Sequence, residues 1–314
     1  MATNSQSIIR ILLLVSLFFA QIKVALGQSD NSDNSENFSQ KPAVVKTQQF
    51  MVVTSDRRAS AAAYKILDDG GSAADAAIAA QLVLGLTEPH ASGLGGGAFV
   101  LYYDKNKKEL ITLDARETAP QSADENLFRD SAGQIMDFNK ARSSGKSVGI
   151  PGTPALLGKL HNEYGKLSMS ELIRPARELA LNGFVLSNDL KKAIFRNKKN
   201  LMNSDHAKKY FLDTNFIKNP YYAESLDTLA KHGYESFYRS PMSTNIITTV
   251  NANGGDIKQN DFDNYKVIRR DPVCDDFFEY KVCSMGEPSS GAITMLQILK
   301  IFEYSPTWHT YIEA

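Results

Sequence analysis

The chain has 314 residues, 43% of them hydrophobic, with 35 Lys+Arg against 35 Asp+Glu. This length fits one large domain or two small ones. The zero net charge, which becomes 33 basic against 35 acidic residues if a leader containing Arg10 and Lys23 is removed, argues against a nucleic-acid partner.

The N-terminal segment has the pattern of a secretory signal peptide. Arg10 precedes an apolar run at residues 11–20, and the small residues Ala25 and Gly27 predict cleavage after residue 27. Retention of the signal as a membrane anchor is the alternative, although the run is shorter than the roughly 20 residues that a span needs. We therefore expect a secreted, extracellular protein with no membrane span in the mature chain.

The stretch that follows is rich in Ser, Asn and Asp, which predicts a disordered leader over residues 28–46. Asn37 begins the sequence Asn-Phe-Ser, an acceptor for N-glycosylation. The organisation expected from the sequence is thus a signal at 1–27, the leader, a globular domain at 47–304 and a divergent tail at 305–314.

Periodicity and capping residues predict the elements of the globular domain. The first expected helix is capped by Ser55 or Asp56 and ends near residue 67. The other expected helices span residues 73–86, 155–164, 171–182, 223–232, 242–250, 260–265 and 292–303. Expected strands lie at 48–54, 98–103, 109–114, 266–270 and 280–285. Ser72 with Asp75 predicts a capping box, Ser170 an N-cap, and residues 120–147 a polar linker. The alanine-rich helix at 73–86 is expected to be central, because small side chains allow close packing.

Four glycines within residues 93–97 form the most unusual stretch. They resemble a dinucleotide-binding fingerprint, but a helix precedes them and a strand follows, which is the reverse of the order that this fingerprint requires. The glycines instead predict a tight turn that leads into a hairpin. The second strand of that hairpin ends at Arg116, and a fixed guanidinium suits a planar carboxylate ligand. A structural ion pair with Asp114 or Glu117 is the alternative.

Cys274 and Cys283 are the two cysteines of the chain. In a secreted protein an isolated pair predicts a disulfide, here across a hairpin. Because no histidine stands near them in the sequence, we expect no metal site.

Several motifs occur in an order that is specific as a set. They are Gly70-Gly-Ser-Ala-Ala-Asp-Ala-Ala77, Ser92-Gly-Leu-Gly-Gly-Gly97, Asp114-Ala-Arg-Glu-Thr-Ala-Pro120, Pro151-Gly-Thr-Pro154, Asn253-Gly-Gly-Asp-Ile257 and Pro288-Ser-Ser-Gly291. With them the chain resembles the gamma-glutamyltranspeptidases, over residues 48–303. The resemblance implies an α/β fold, the αββα sandwich of the N-terminal nucleophile hydrolases, of which this chain has the large-subunit part and is therefore incomplete.

The resemblance also implies a chemistry. Members of this family transfer the γ-glutamyl group of glutathione or related compounds to water or an amino acid, without a cofactor. They cut themselves into two subunits, and the new N-terminal threonine of the small subunit is the nucleophile. Arg116 matches the arginine that grips the α-carboxylate of the γ-glutamyl group.

The sequence does not contain the family's small subunit. We therefore expect a secreted, truncated protein that is inactive alone; the alternative is a large-subunit fragment that works with a small subunit from another chain or from a longer precursor. Thr248 and Thr249 superficially mimic the self-cleavage site, but the pattern around them predicts a helix.

Overall fold

The structure is a computed structural model that describes residues 46–239 and 241–304. The compact unit begins at Phe50. The predicted signal, the glycosylation acceptor Asn37 and the tail at 305–314 lie outside the described residues.

The described chain is a mixed α/β fold. Its helices are α1 Arg57–Asp68, α2 Ala73–Thr87, α3 Phe138–Arg142, α4 Thr153–Tyr164, α5 Met169–Asn182, α6 Asn188–Leu201, α7 Asp205–Phe211, α8 Pro220–His232, α9 Ser236–Arg239, α10 Pro241–Ala252, α11 Gln259–Asp263 and α12 Gly291–Tyr304. Its strands are β1 Ala98–Asp104, β2 Glu109–Ala115, β3 Phe184–Val185, β4 Phe216–Ile217, β5 Ile268–Arg270, β6 Val273–Phe277 and β7 Tyr280–Ser284. The strands pair in the orders β1-β2-β5, β3-β4 and β6-β7, all antiparallel.

The alanine-rich helix α2 lies in the middle of the core, as its sequence predicts. Helices α1, α4 and α5 pack around it, and Ile78 and Ala79 are fully buried. The predicted capping box begins the helix: the Asp75 N–H donates to Ser72 Oγ (3.1 Å), and the Ser72 N–H donates to Asp75 Oδ2 (2.8 Å). Small side chains thus bring three helices close to one axis.

Asp75 does more than cap a helix, because its fully buried carboxylate also accepts the backbone N–H groups of Lys166 (2.9 Å) and Leu167 (3.3 Å) in the loop between α4 and α5. We expect Asp75→Asn to lower the free energy of unfolding by about 2–4 kcal/mol, since a neutral amide cannot satisfy these donors with the strength of a charged acceptor. Ser72→Ala removes only the other half of the cap and should cost about 1 kcal/mol. Urea unfolding measures both variants. Equal losses would mean that Asp75 acts only as a cap.

The three-stranded sheet covers one side of this core. Val100 pairs with Leu113 and Tyr102 with Ile111, and these side chains face the helices. Strand β5 pairs with the end of β2, where Ile268 lies opposite Asp114. The sheet therefore connects residues more than 150 positions apart just before Arg116.

The opposite face of the same sheet is partly open within the described chain. On it Leu101 is 42% exposed, Tyr103 60% and Ile268 47%. Asp114 lies on this face too, at the end of the sheet that leads to Arg116. Three apolar side chains thus remain partly exposed on this face of the sheet.

Two predictions about local structure are wrong. Residues 48–54 form no strand, and Val53 is 84% exposed, because no described strand lies beside them to pair with. The N-cap of α5 is Ser168 rather than Ser170, since Glu171 stands three residues after Ser168 and accepts its N–H (2.8 Å).

Short elements are where the sequence patterns were least informative. The predicted linker at 120–147 contains α3 and a 3-10 turn, Gly145–Ser147. Strands β3 and β4, of two residues each, had no prediction, and β6 was expected only as one arm of a hairpin. Elements of this length carry too few residues for a period to be recognised.

The C-terminal part of the described chain packs α12 against the β6–β7 hairpin. Cys274 and Cys283 lie opposite each other in that hairpin and are joined by the predicted disulfide. The Gly291 N–H at the start of α12 donates to Ser289 Oγ (3.1 Å). None of the helices in the described part of the chain is both long and apolar enough to traverse a lipid bilayer.

Candidate functional site

The glycine-rich turn lies between α2 and β1, the order that the sequence predicts. Its Gly96 carbonyl accepts the N–H groups of Gly152 (2.9 Å) and Thr153 (3.0 Å), so that the Pro-Gly-Thr turn before α4 docks on it. A Cβ at Gly97 would lie 2.6 Å from the Ala115 carbonyl and 2.6 Å from a Glu117 carboxylate oxygen. The glycines therefore allow the turn to lie close to the end of β2.

The backbone of Arg116 is held at both its N–H and its carbonyl. Its N–H donates to Asp114 Oδ1 (2.9 Å), and its carbonyl accepts the hydroxyl of Tyr265 (2.9 Å). The other oxygen of Asp114 accepts Nε of Arg270 (2.8 Å). Asp114, one of the two candidate ion-pair partners of the Arg116 side chain, is therefore engaged by a different arginine.

The Arg116 side chain itself is exposed. Within residues 46–239 and 241–304 its guanidinium makes no ion pair and no hydrogen bond, with Glu117 or with any other residue. The alternative of a structural ion pair is thus not found. A cation on a fixed peptide, with its donors unoccupied, is a geometry that can receive a carboxylate.

A layer of two tyrosines backs this peptide. Tyr265 stacks on Tyr238 with ring centroids 5.7 Å apart and planes 9° apart, and the Tyr238 hydroxyl donates to the Pro151 carbonyl (2.6 Å). A Cβ at Gly152 would overlap both the Tyr265 hydroxyl and the Ala115 carbonyl. Only glycine at this position lets the ring reach the backbone of Arg116.

Burial raises the pKa of Tyr265, and the nearby negative charges of Asp114 and Glu117 raise it further. The hydroxyl therefore keeps its proton and acts as a donor to the Arg116 carbonyl.

A cleft of about 370 Å³ lies beside the glycine turn, lined by the turn itself, residues 89–92 and Glu117. Ser92 Oγ at its wall accepts the side-chain amide of Gln81 (2.6 Å). His90 lies 3.3 Å from the carboxylate of Glu88, whose pKa is raised by burial. The cleft is therefore polar and adjoins the segment that carries Arg116.

The sequence patterns singled out Arg116 as a candidate but gave no sign of the contacts of Tyr265 and Arg270. Tyr265 is 149 positions from Arg116, and Arg270 is 156 positions from Asp114. No local pattern reports contacts between residues this far apart; the pairing of β5 with β2 brings Arg270 to the end of β2, and Tyr265 lies just before β5. Among the described residues, no cluster of His, Cys, Asp and Glu is suited to hold a metal ion.

The fold matches solved N-terminal nucleophile hydrolases over part of their chains. The gamma-glutamyltranspeptidase of Helicobacter pylori has a TM-score of 0.79 and 30% identity, covering 84% of this chain and 77% of that one. The cephalosporin acylase of Bacillus halodurans has a TM-score of 0.66 and 24% identity, covering 83% and 53%, and supports the fold alone.

Comparison of the sequence with known proteins identifies the family. The model of the gamma-glutamyltranspeptidase family matches residues 59–314, and the chain therefore belongs to this family. A relative in Bacillus subtilis, a glutathione hydrolase proenzyme, is 34% identical over 263 residues. That match covers 81% of this chain but 44% of the relative, so the chain spans less than half the length of this curated relative.

Proposed function

We propose that this chain supplies the large-subunit part of a γ-glutamyl transferase or glutathione hydrolase, and that Arg116 binds the α-carboxylate of the γ-glutamyl group. The observation that carries the proposal is the unoccupied guanidinium on a peptide that Asp114 and Tyr265 hold in place. Family membership supports it, because Arg116 stands in the Asp-Ala-Arg-Glu motif that resembles the family's carboxylate site.

The role proposed for Arg116 is to bind and orient the substrate. A guanidinium offers two parallel N–H donors to a carboxylate, which fixes the direction of the substrate as well as holding its charge. Once the α-carboxylate is fixed, the γ-carbonyl lies at a defined place for attack by a nucleophile.

We infer that the nucleophile comes from a small subunit, and that these 314 residues are inactive without it. The named relative is a proenzyme of glutathione hydrolase, and the family uses a threonine with a free α-amine. Thr248 and Thr249 do not provide one, since both lie inside α10, where Thr248 Oγ1 donates to the Thr244 carbonyl (2.8 Å).

The fold supports the same inference. The partly open face of the β1-β2-β5 sheet, with Leu101, Tyr103 and Ile268, is the surface on which the second sheet of an αββα sandwich would pack. We propose that the small subunit supplies this second sheet and completes the site next to Arg116.

The test is turnover of a γ-glutamyl anilide by this chain co-expressed with the small-subunit half of the B. subtilis relative. The same assembly with Arg116→Lys is measured beside it. Turnover that depends on both partners and weakens in the variant supports the proposal.

We also propose that the protein is secreted, because an apolar run at 11–20 is followed by the small residues Ala25 and Gly27. Expressed in a eukaryotic secretory host, the product should begin at Gln28 and lose mass on treatment with an N-glycosidase. Asn37→Gln is the matched control and should remove the mass shift. Purified protein that retains Met1 contradicts the proposal.

A further inference from the structure

The backbone of Arg116 has two anchors of different strength, one on each of the two peptide groups that flank its Cα. The anchor at the N–H is the Asp114 carboxylate, which the Arg270 guanidinium holds from the other side at 2.8 Å. The anchor at the carbonyl is the Tyr265 hydroxyl alone, at 2.9 Å. No other described donor reaches this carbonyl, so its orientation depends on Tyr265.

The orientation of the Arg116 backbone sets the direction in which the Arg116 side chain leaves the chain. Residues 116–119 are exposed and follow the last ladder position of β2, so the sheet no longer fixes their backbone, although Gly97 and Gly149 lie against Glu117 and Thr118. Beyond Arg116, the next backbone constraint is the bridge between Thr118 and Ile150, whose two hydrogen bonds measure 2.8 and 3.4 Å. A long side chain with several rotatable bonds can deliver a two-pronged contact reproducibly only from a fixed peptide.

Tyr265 is itself held for this task. It stacks on Tyr238, and the absence of a side chain at Gly152 leaves the space that its hydroxyl occupies. Its hydroxyl has an acceptor in the Arg116 carbonyl, whereas the ring contributes to packing through its carbon atoms. Removing the oxygen alone therefore separates the two roles.

We propose that Tyr265 is a positioning residue for substrate binding: its hydroxyl fixes the Arg116 carbonyl and thereby aims the guanidinium at the α-carboxylate. The proposal rests on the function proposed for Arg116. It assigns no contact between Tyr265 and substrate.

The first test uses the 314-residue chain itself. Tyr265→Phe should speed amide hydrogen exchange at Arg116 about tenfold relative to wild type, because the Arg116 N–H separates from Asp114 more often once the Arg116 carbonyl is released. Tyr222→Phe is the matched control: it also loses a hydroxyl that donates to a backbone carbonyl, that of Leu82 (2.8 Å), far from Arg116 in sequence. Unchanged exchange at Arg116, or equal acceleration in both variants, overturns the proposal.

The second test uses the assembly with a small subunit. Tyr265→Phe should raise KM for a γ-glutamyl anilide about five- to tenfold with kcat within about twofold, whereas a merely destabilised protein would lose active enzyme and so lower apparent kcat. In an Arg116→Ala background the same change should have no further effect on KM, since the aimed group is gone.

The two proposals fail in different ways. If Arg116→Ala raises KM but Tyr265→Phe behaves as Tyr222→Phe does, the positioning role is wrong and the role of Arg116 stands. If Arg116→Ala leaves KM unchanged, the carboxylate-binding role itself is wrong, and the positioning role falls with it.

Discussion

Replacing Arg116 with alanine should raise KM for a γ-glutamyl anilide about a hundredfold in the assembly of this chain with a small subunit. Two charge-assisted hydrogen bonds are lost, and even about 3 kcal/mol of that interaction corresponds to roughly two powers of ten. The effect should fall mainly on KM, because the α-carboxylate is bound alike in the ground state and the transition state.

Two controls isolate the carboxylate contact. Arg116→Lys keeps the charge but loses the fork, so its KM should lie between wild type and the alanine variant. Arg177→Ala removes an arginine whose ion pair with Asp227 is exposed, and it should leave KM unchanged.

A substrate without the α-carboxylate gives the sharpest comparison. A 4-aminobutyryl anilide offers Arg116 nothing to grip, so wild type and Arg116→Ala should turn it over equally. If Arg116→Ala has the KM of wild type toward the γ-glutamyl anilide, Arg116 serves the structure and not the substrate.

The parts of this fold that the sequence predicted well are those whose signals are local. Asp56 caps α1 by accepting the Arg58 N–H (2.8 Å), and Ser72 with Asp75 forms the box that begins α2. In each case the donor and the acceptor lie within three residues, so the pattern alone contains the interaction.

The predictions that were wrong or missing concern structure that depends on residues distant in the sequence. The apolar run at residues 50–53 is compatible with a strand at 48–54, but a strand exists only where another strand pairs with it. Likewise, the motif around Arg116 gives no sign of Tyr265, because the contact between the two residues is not local in the sequence. Sequence patterns therefore singled out the candidate substrate-binding residue, and the three-dimensional structure was needed to find that Tyr265 contacts its carbonyl.

The carboxyl-terminal helix adds to the surface that a partner would cover. On α12 the side chains of Ile293, Ile301 and Tyr304 are 43%, 66% and 79% exposed. Together with the open sheet face, these residues form apolar surface that is unfavourable in water. A small subunit that buries it would stabilise the chain as well as complete the site.

The 314-residue polypeptide, expressed and purified alone, should therefore show no γ-glutamyl anilide turnover above a heat-treated sample. The reaction we propose uses a threonine hydroxyl beside a free α-amine, and Thr249, in the Thr-Thr pair that mimics the cleavage site, is instead an internal residue of α10. Loss of the nucleophile alone lowers kcat by about a millionfold in a serine protease, and removal of one oxyanion donor there costs about a hundred- to a thousandfold. The same preparation should stay uncleaved on prolonged incubation, as judged by its mass.

Adding the small subunit should restore turnover, and turnover that needs both polypeptides would show that the site is divided between them. Arg116→Ala in the restored assembly reports whether the activity comes from this chain's site or from a contaminant, since a contaminating enzyme would keep its own KM. Leu101→Glu, on the open sheet face, should weaken assembly because it places a charge where apolar surface is to be buried. Robust turnover by the homogeneous 314-residue polypeptide would require a nucleophile within these residues and would refute the division of the site between two subunits.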